Sequence, residues 1–158
     1  MKKQFTHIDK SGNPRMVDVS DKKITKRFAR AQAIVHLGKA IMGQIKNNEL
    51  ITKKGPVFQT AIIAGVMGAK KTSDMIPFCH PLGLEDCQVT ISTKGDRVII
   101  DTQAQITGKT GVEMEALTAA SIAALTVYDM CKALSHQIVI EEIKLIEKTG
   151  GKKDFHRK

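Results

Sequence analysis

Alternation of polar and apolar positions marks the strands of this chain. From Ile24, Lys26, Phe28, Arg30, Gln32 and Ile34 alternate with Thr25, Arg27, Ala29, Ala31, Ala33 and Val35, a period of two with one small-residue face. That is a strand pattern, although the alanines would equally suit a helix. Leu84 to Thr93 and Arg97 to Thr107 are two further β-rich runs, separated by the hairpin signal Lys94-Gly95-Asp96. Gln137 to Glu147 alternates again and supplies a final strand.

Helical spacing fills the gaps. Ile41, Met42 and Ile45 predict a helix over Gly38 to Lys46, ended by Asn47-Asn48. After a loop from Ile51 to Pro56, with the proline in the first helical turn, Phe58, Ala61, Ile62, Gly65, Val66 and Ala69 follow the i, i+3, i+4 rule to about Lys71. Asp74 to Leu82 brackets Phe78-Cys79-His80 between prolines and is irregular. Leu117 to Leu125 carries no charge and is rich in Ala, Ser and Thr, so it predicts a core helix closely approached by its neighbours. Residues 1–15 predict a loop or mobile arm around Asp9 to Pro14, Met16 to Ser20 a short extended piece, and residues 149–158 a mobile tail. Strand, helix, helix, strand, strand, helix, strand reduces to βαββαβ with one extra helix. The expected fold class is therefore α+β, a ferredoxin-like antiparallel sheet with helices on one face, formed by residues 1–158 as a single domain. With Val89, Ile91, Ile99 and Ile138 spread over both sides of the strands, the second face is expected to be covered by another copy.

Composition narrows the functions. The net charge is +9. Residues 1–30 carry nine Lys/Arg against three Asp/Glu, and residues 144–158 six against two, so the body between them is near neutral. The basic ends are either solvated or help to bind a polyphosphate. One Tyr, no Trp and no basic-aromatic alternation argue against a nucleic-acid surface. No uncharged run reaches the ~20 residues of a membrane span, and no apolar segment follows the basic start, so a cytoplasmic protein without membrane contact is expected. Three cysteines without a CxxC pair predict reduced thiols rather than disulfides or structural zinc, and neither a metal site nor a cofactor is expected.

Several residues are candidates for chemistry. Lys54 lies just ahead of a helix N-terminus, where it would be a solvated loop lysine, a phosphate ligand or an acid-base group. Cys79-His80 between prolines is a weak metal signal, and a rigid loop presenting an imidazole is the stronger reading. Glu113 and Glu115 would point about 200° apart on a helix but share a face on extended chain, so two cooperating carboxylates favour a helix starting near Glu115. Their simpler role is to balance the helix dipole. Asp129 and Lys132 are spaced i, i+3 beside Tyr128, Met130 and Cys131, either as a surface ion pair or as a poorly solvated proton-transfer pair.

Met16 to Ser20, Lys54-Gly55 through Ala64-Gly65, Ile76 to Leu82 and Thr107 to Ala133, in that order, resemble the cyclic pyranopterin monophosphate synthase family of molybdenum cofactor biosynthesis. The resemblance implies a lyase that converts cyclised dihydroguanosine triphosphate to cyclic pyranopterin monophosphate and releases diphosphate. It implies catalytic roles for Asp129, Lys132 and Lys54, and substrate contacts from Phe78, Cys79, His80, Glu113, Met114 and Glu115. Arg27 and Lys152 would then meet the triphosphate. A homohexamer built as a trimer of dimers is implied as well. Two departures stand out: Pro56 replaces the family's usual Asp, and Gly150-Gly151 lead into Lys152-Lys153-Asp154 rather than Lys-Ser-Gly. The competing class is a non-enzymatic nucleotide- or RNA-binding domain, which would want aromatics on the sheet face.

Overall fold

The computed structural model describes residue 8 and residues 11–158. His7, Asp9, Lys10 and most of the expected N-terminal arm lie outside the described residues. The chain forms β1 (Thr25–His36), α1 (Lys39–Met42), β2 (Ile51–Thr52), β3 (Gly55–Pro56), α2 (Val57–Lys70), α3 (Thr72–Met75), β4 (Asp86–Lys94), β5 (Arg97–Gly108), α4 (Glu113–Cys131), β6 (Val139–Thr149) and β7 (Phe155–His156). The five-stranded sheet has the order β4-β5-β1-β6-β7, antiparallel throughout, with the four long strands in the ferredoxin-like arrangement.

The layers follow from side-chain size. On the covered face Ala29, Ala31 and Ala33 of β1 meet Ala104, Thr102 and Ile100 of β5, and Ala116, Ala119, Ala120, Ala123 and Ala124 of α4 are fully buried against them. Small residues on both sides let the helix lie close to the sheet. Glycine does the same between helices: a Cβ on Gly68 would come within 2.7 Å of Ile122 Cγ1, and one on Gly65 within 3.0 Å of the Ala119 carbonyl. The buried Thr102 hydroxyl donates to the Ala116 carbonyl at 2.7 Å, which satisfies it and ties sheet to helix.

Several boundaries differ from the sequence expectation. The helix expected over Gly38 to Lys46 stops at Met42, because Asn47 (φ 51) and Asn48 (φ 58) form a tight reversal between the paired residues Lys46 and Glu49. Two successive positive φ values define a type I′ turn, which asparagine tolerates. Ile51 to Pro56 is a miniature hairpin rather than a loop, and Pro56 is the extended N-cap of α2, one position before its first turn. Met16 to Ser20 is not a strand; Asp18 Oδ1 accepts from the Ser20 backbone N–H at 2.8 Å and the Ser20 hydroxyl at 2.6 Å, which folds it into a turn. The segment after Thr149, expected as a tail, returns as β7 to pair with Glu147 and Lys148.

The open face of the sheet is more polar than expected. Val89 is buried on the helix side, Ile91 shares that side, and Ile138 is buried just before β6. Ile99 does face outward, paired with Ile34, but its surroundings are Arg30, Gln32, Gln103 and Asp101, with Gln32 donating to Asp101 at 3.1 Å. Exposed apolar side chains occur on the helices, at Ile63 and Met67 of α2 and at Met114 and Leu125 of α4, and on the sheet at Val139 and Ile143 of β6.

Candidate active site

The two ends of α4 carry separate groups. At its C-terminal end, Asp129 Oδ2 accepts from Lys54 Nζ at 2.6 Å and Asp129 Oδ1 from Lys132 Nζ at 2.7 Å. Lys54 also donates to the Asp129 carbonyl at 3.0 Å, one of the last, unpaired carbonyls of the helix. Sharing two ammonium groups, Lys132 first and Lys54 second, holds the Asp129 carboxyl down at about 2. Asp129 in turn raises the proton affinity of Lys132. The expected poorly solvated setting is absent: Cys131 is fully buried beneath the pair and Met130 nearly so, while the side chains of Asp129 and Lys132 are half exposed. Lys54 is not at a free helix N-terminus either. The Glu49 carboxylate occupies that place, accepting from the Phe58 backbone N–H at 2.8 Å and that of Gln59 at 3.1 Å.

At the N-terminal end of α4 a cavity of about 560 Å³ is lined by Phe78, Cys79, His80, Glu113, Met114, Glu115 and Lys152, together with Val17, Val19, Lys22, Leu82, Thr110 and Gly111. The expected helix start near Glu115 is two residues late. The helix begins at Glu113, so the carboxylates diverge. Glu113 turns to Lys148 of β6 at 2.7 Å. Glu115 points inward, 4% exposed, and burial pushes its carboxyl up to about 6, with the charge of Glu113 adding to the shift. Burial, and next the neighbouring Glu115, hold the Cys79 thiol above its usual range; burial pushes that of Cys131 up to about 11. His80 Nε2 lies 2.9 Å from the Val17 carbonyl. Since a carbonyl only accepts, Nε2 carries a proton there.

A second cavity of about 270 Å³ adjoins the first, sharing Lys22, Thr110, Gly111, Glu113 and Lys152 with it and adding Arg27, Lys109 and Lys148. The Arg27 guanidinium is held over the carbonyls of Gly108 (3.4 Å) and Lys109 (3.3 Å), and Lys109 Nζ donates to the Ser20 carbonyl at 2.6 Å. Gly151 lies against Arg27, where an added Cβ would be 3.1 Å from a guanidinium nitrogen. Five cations around one carboxylate give this cavity a positive potential that attracts anions. Among the described residues no group of three or more His, Cys, Asp or Glu has a metal-holding geometry.

The structure thus gathers Phe78, Cys79, His80, Glu113, Met114, Glu115 and Lys152 at one cavity and Arg27 beside it, and places Lys54, Asp129 and Lys132 together elsewhere. Fourteen residues separate Glu115 from Asp129, about 21 Å of helix at 1.5 Å per residue. Lys22, Lys109 and Lys148 were not singled out from sequence. Lys22 and Lys109 left signals: a Lys22-Lys23 pair just after the Met16 to Ser20 turn, and the Gly- and Thr-rich run Thr107 to Gly111 entering the helix.

A ferredoxin-like sheet and helices with an apolar, carboxylate-bearing cavity beside a cationic one define a small-molecule class of α+β protein. The chain matches the MoaC family over residues 16–151 and belongs to that family. It is 51% identical over 153 residues to the cyclic pyranopterin monophosphate synthase of Xanthomonas campestris pv. campestris (strain B100), an alignment that covers 96% of this chain and 93% of that protein. It is 54% identical over 155 residues to a molybdenum cofactor biosynthesis bifunctional protein of Synechocystis sp., covering 95% of this chain and 45% of the relative. With molybdenum cofactor biosynthesis protein 1 of Dictyostelium discoideum it shares 50% over 167 residues, 94% of this chain but 26% of the relative. The chain therefore spans less than half of these two longer relatives. No helix among the described residues is long and apolar enough to cross a membrane.

Proposed function

We propose that this protein is a lyase of molybdenum cofactor biosynthesis, converting cyclised dihydroguanosine triphosphate to cyclic pyranopterin monophosphate with release of diphosphate. The observation that carries the reading is the pair of joined cavities. The larger suits a heterocycle, with apolar walls and Glu115, and the smaller suits the triphosphate, with Arg27, Lys148 and Lys152. Family membership and a near full-length relative bearing that name point the same way. His80, Glu113 and Glu115 orient the ring and Lys132 transfers protons. Asp129 positions Lys132, and Lys54 is a second acid or a counter-charge. Asp129 keeps Lys132 of the isolated chain protonated and makes it a weaker acid; ready proton transfer in either direction requires burial, which lowers a lysine's proton affinity.

One heterocycle cannot reach both ends of α4 in the same chain, so we infer a site completed by a second copy. A stripe of α4, with Met114 and Leu125 exposed and Leu117 and Ser121 half-buried between them, leads from one group to the other. A two-fold antiparallel contact along it would bring the Lys132 end of one copy to the Glu115 end of its partner. We further infer a single-domain cytoplasmic enzyme, with such dimers assembled in threes as a hexamer. The direct test is incubation with the cyclised triphosphate, with diphosphate and the cyclic monophosphate as expected products. Absence of both from a folded, correctly assembled protein overturns the reading.

A further inference from the structure

Glu113 stands on the boundary between the two cavities. It lines both, whereas its partner Lys148 lines only the cationic one. The carboxylate is held on Lys148 through Oε1 at 2.7 Å. Its other oxygen, Oε2, is 1.8 Å from where a Cβ on Gly111 would stand. Lacking a Cβ, Gly111 leaves free the space that this carboxylate occupies while it is held on Lys148. Any side chain at 111 would push the flexible end of Glu113 away. An anion entering the cationic cavity and the Glu113 carboxylate compete for one ammonium group.

We propose that Glu113 is a gate coupling the two cavities: at rest it is bound by Lys148, and a polyphosphate in the cationic cavity takes Lys148 from it and releases the carboxylate to the ring cavity. The inference rests on reading the smaller cavity as the polyphosphate site. A ring without phosphates then meets Glu113 still tied to Lys148, so the device selects for the phosphorylated class of ligand. When the anion leaves, Lys148 recaptures Glu113 and the ring loses a contact. Gly111 is a positioning residue in this scheme, acting only through where it lets Glu113 sit.

The test is the affinity of the full-length protein for inorganic triphosphate, measured by titration calorimetry at fixed ionic strength. Glu113→Gln should tighten binding about two- to fivefold, the worth of a partly exposed ion pair. Gly111→Ala should tighten it as well, although it changes no charge. In a Lys148→Gln background neither change should have an effect. Equal tightening by Glu113→Gln with and without Lys148 would mean only a general field effect and would overturn the gate. So would Gly111→Ala without tightening, in a variant that melts like the wild type. If the wild type itself binds no triphosphate, the polyphosphate reading fails and the gate with it.

Discussion

Asp129 and Glu115 are two carboxyl groups on one helix with opposite displacements, and each makes a prediction. Lys132→Ala should lower turnover by about a hundredfold or more, the usual loss when a catalytic acid or base is removed. Because Lys132 and Asp129 are half exposed, the melting temperature should change little. Wild-type turnover in that variant would remove Lys132 from the mechanism. For Glu115 the sign runs the other way from the usual carboxylate. Its folded value of about 6 lies above the ordinary glutamate value of 4.5, so the folded state binds more protons than the unfolded one between these values. Stability should fall as pH rises through that window and level off above it. Glu115→Gln removes this dependence, and its stability relative to wild type should improve between pH 4.5 and pH 7 by on the order of 1–2 kcal/mol. Urea denaturation at both pH values measures it, and a difference that does not change with pH would show that Glu115 is not protonated by burial.

At the scale of elements, α2 has no cap from its own N-cap residue, Pro56. Glu49, eight residues before its first turn begins, supplies the acceptor. Glu49→Ala should destabilise the protein by about 1–2 kcal/mol, as for loss of a charged cap, seen as a lower urea midpoint at unchanged slope. An unchanged midpoint would mean that water replaces the carboxylate without cost. This contact also marks where sequence reading stops. The long strands and α2 were legible because their burial repeats at two or at 3.6 residues, and Ala29, Ala31 and Ala33 show it at full contrast. Asn47-Asn48 reads in sequence as a helix end, but α1 ends at Met42 and the asparagines form a turn instead, since the Lys46 and Glu49 pairing that closes it belongs to no repeating pattern. Lys54, Asp129 and Lys132, grouped in sequence by motif resemblance and the i, i+3 spacing, are ion-paired with one another in the structure. Lys148 was missed because its placement depends on where β6 meets β1, a property of sheet register rather than of local sequence.

For the whole molecule, the prediction concerns complementation. Glu115→Ala and Lys132→Ala proteins, each inactive, should regain part of the wild-type activity when dissociated and reassembled together. A mixed pair holds one intact composite site and one with both changes. Subunit exchange demonstrated by mass, with no recovered activity, would eliminate a site shared between copies. The burial of α4 adds a further constraint. Gripped by alanines on the sheet side and by Gly65 and Gly68 of α2, the helix can neither slide nor turn, and it behaves as a ruler with a fixed phase. One alanine inserted after Ser121 would leave every functional residue present yet advance the Asp129 end by about 1.5 Å and rotate it by roughly 100°. If the fold is kept by holding the first half in place, Asp129 should leave Lys54, and activity should disappear in a protein whose circular dichroism still reads as helix and sheet. The chemistry of this chain would then depend on a residue count as strictly as on residue identity.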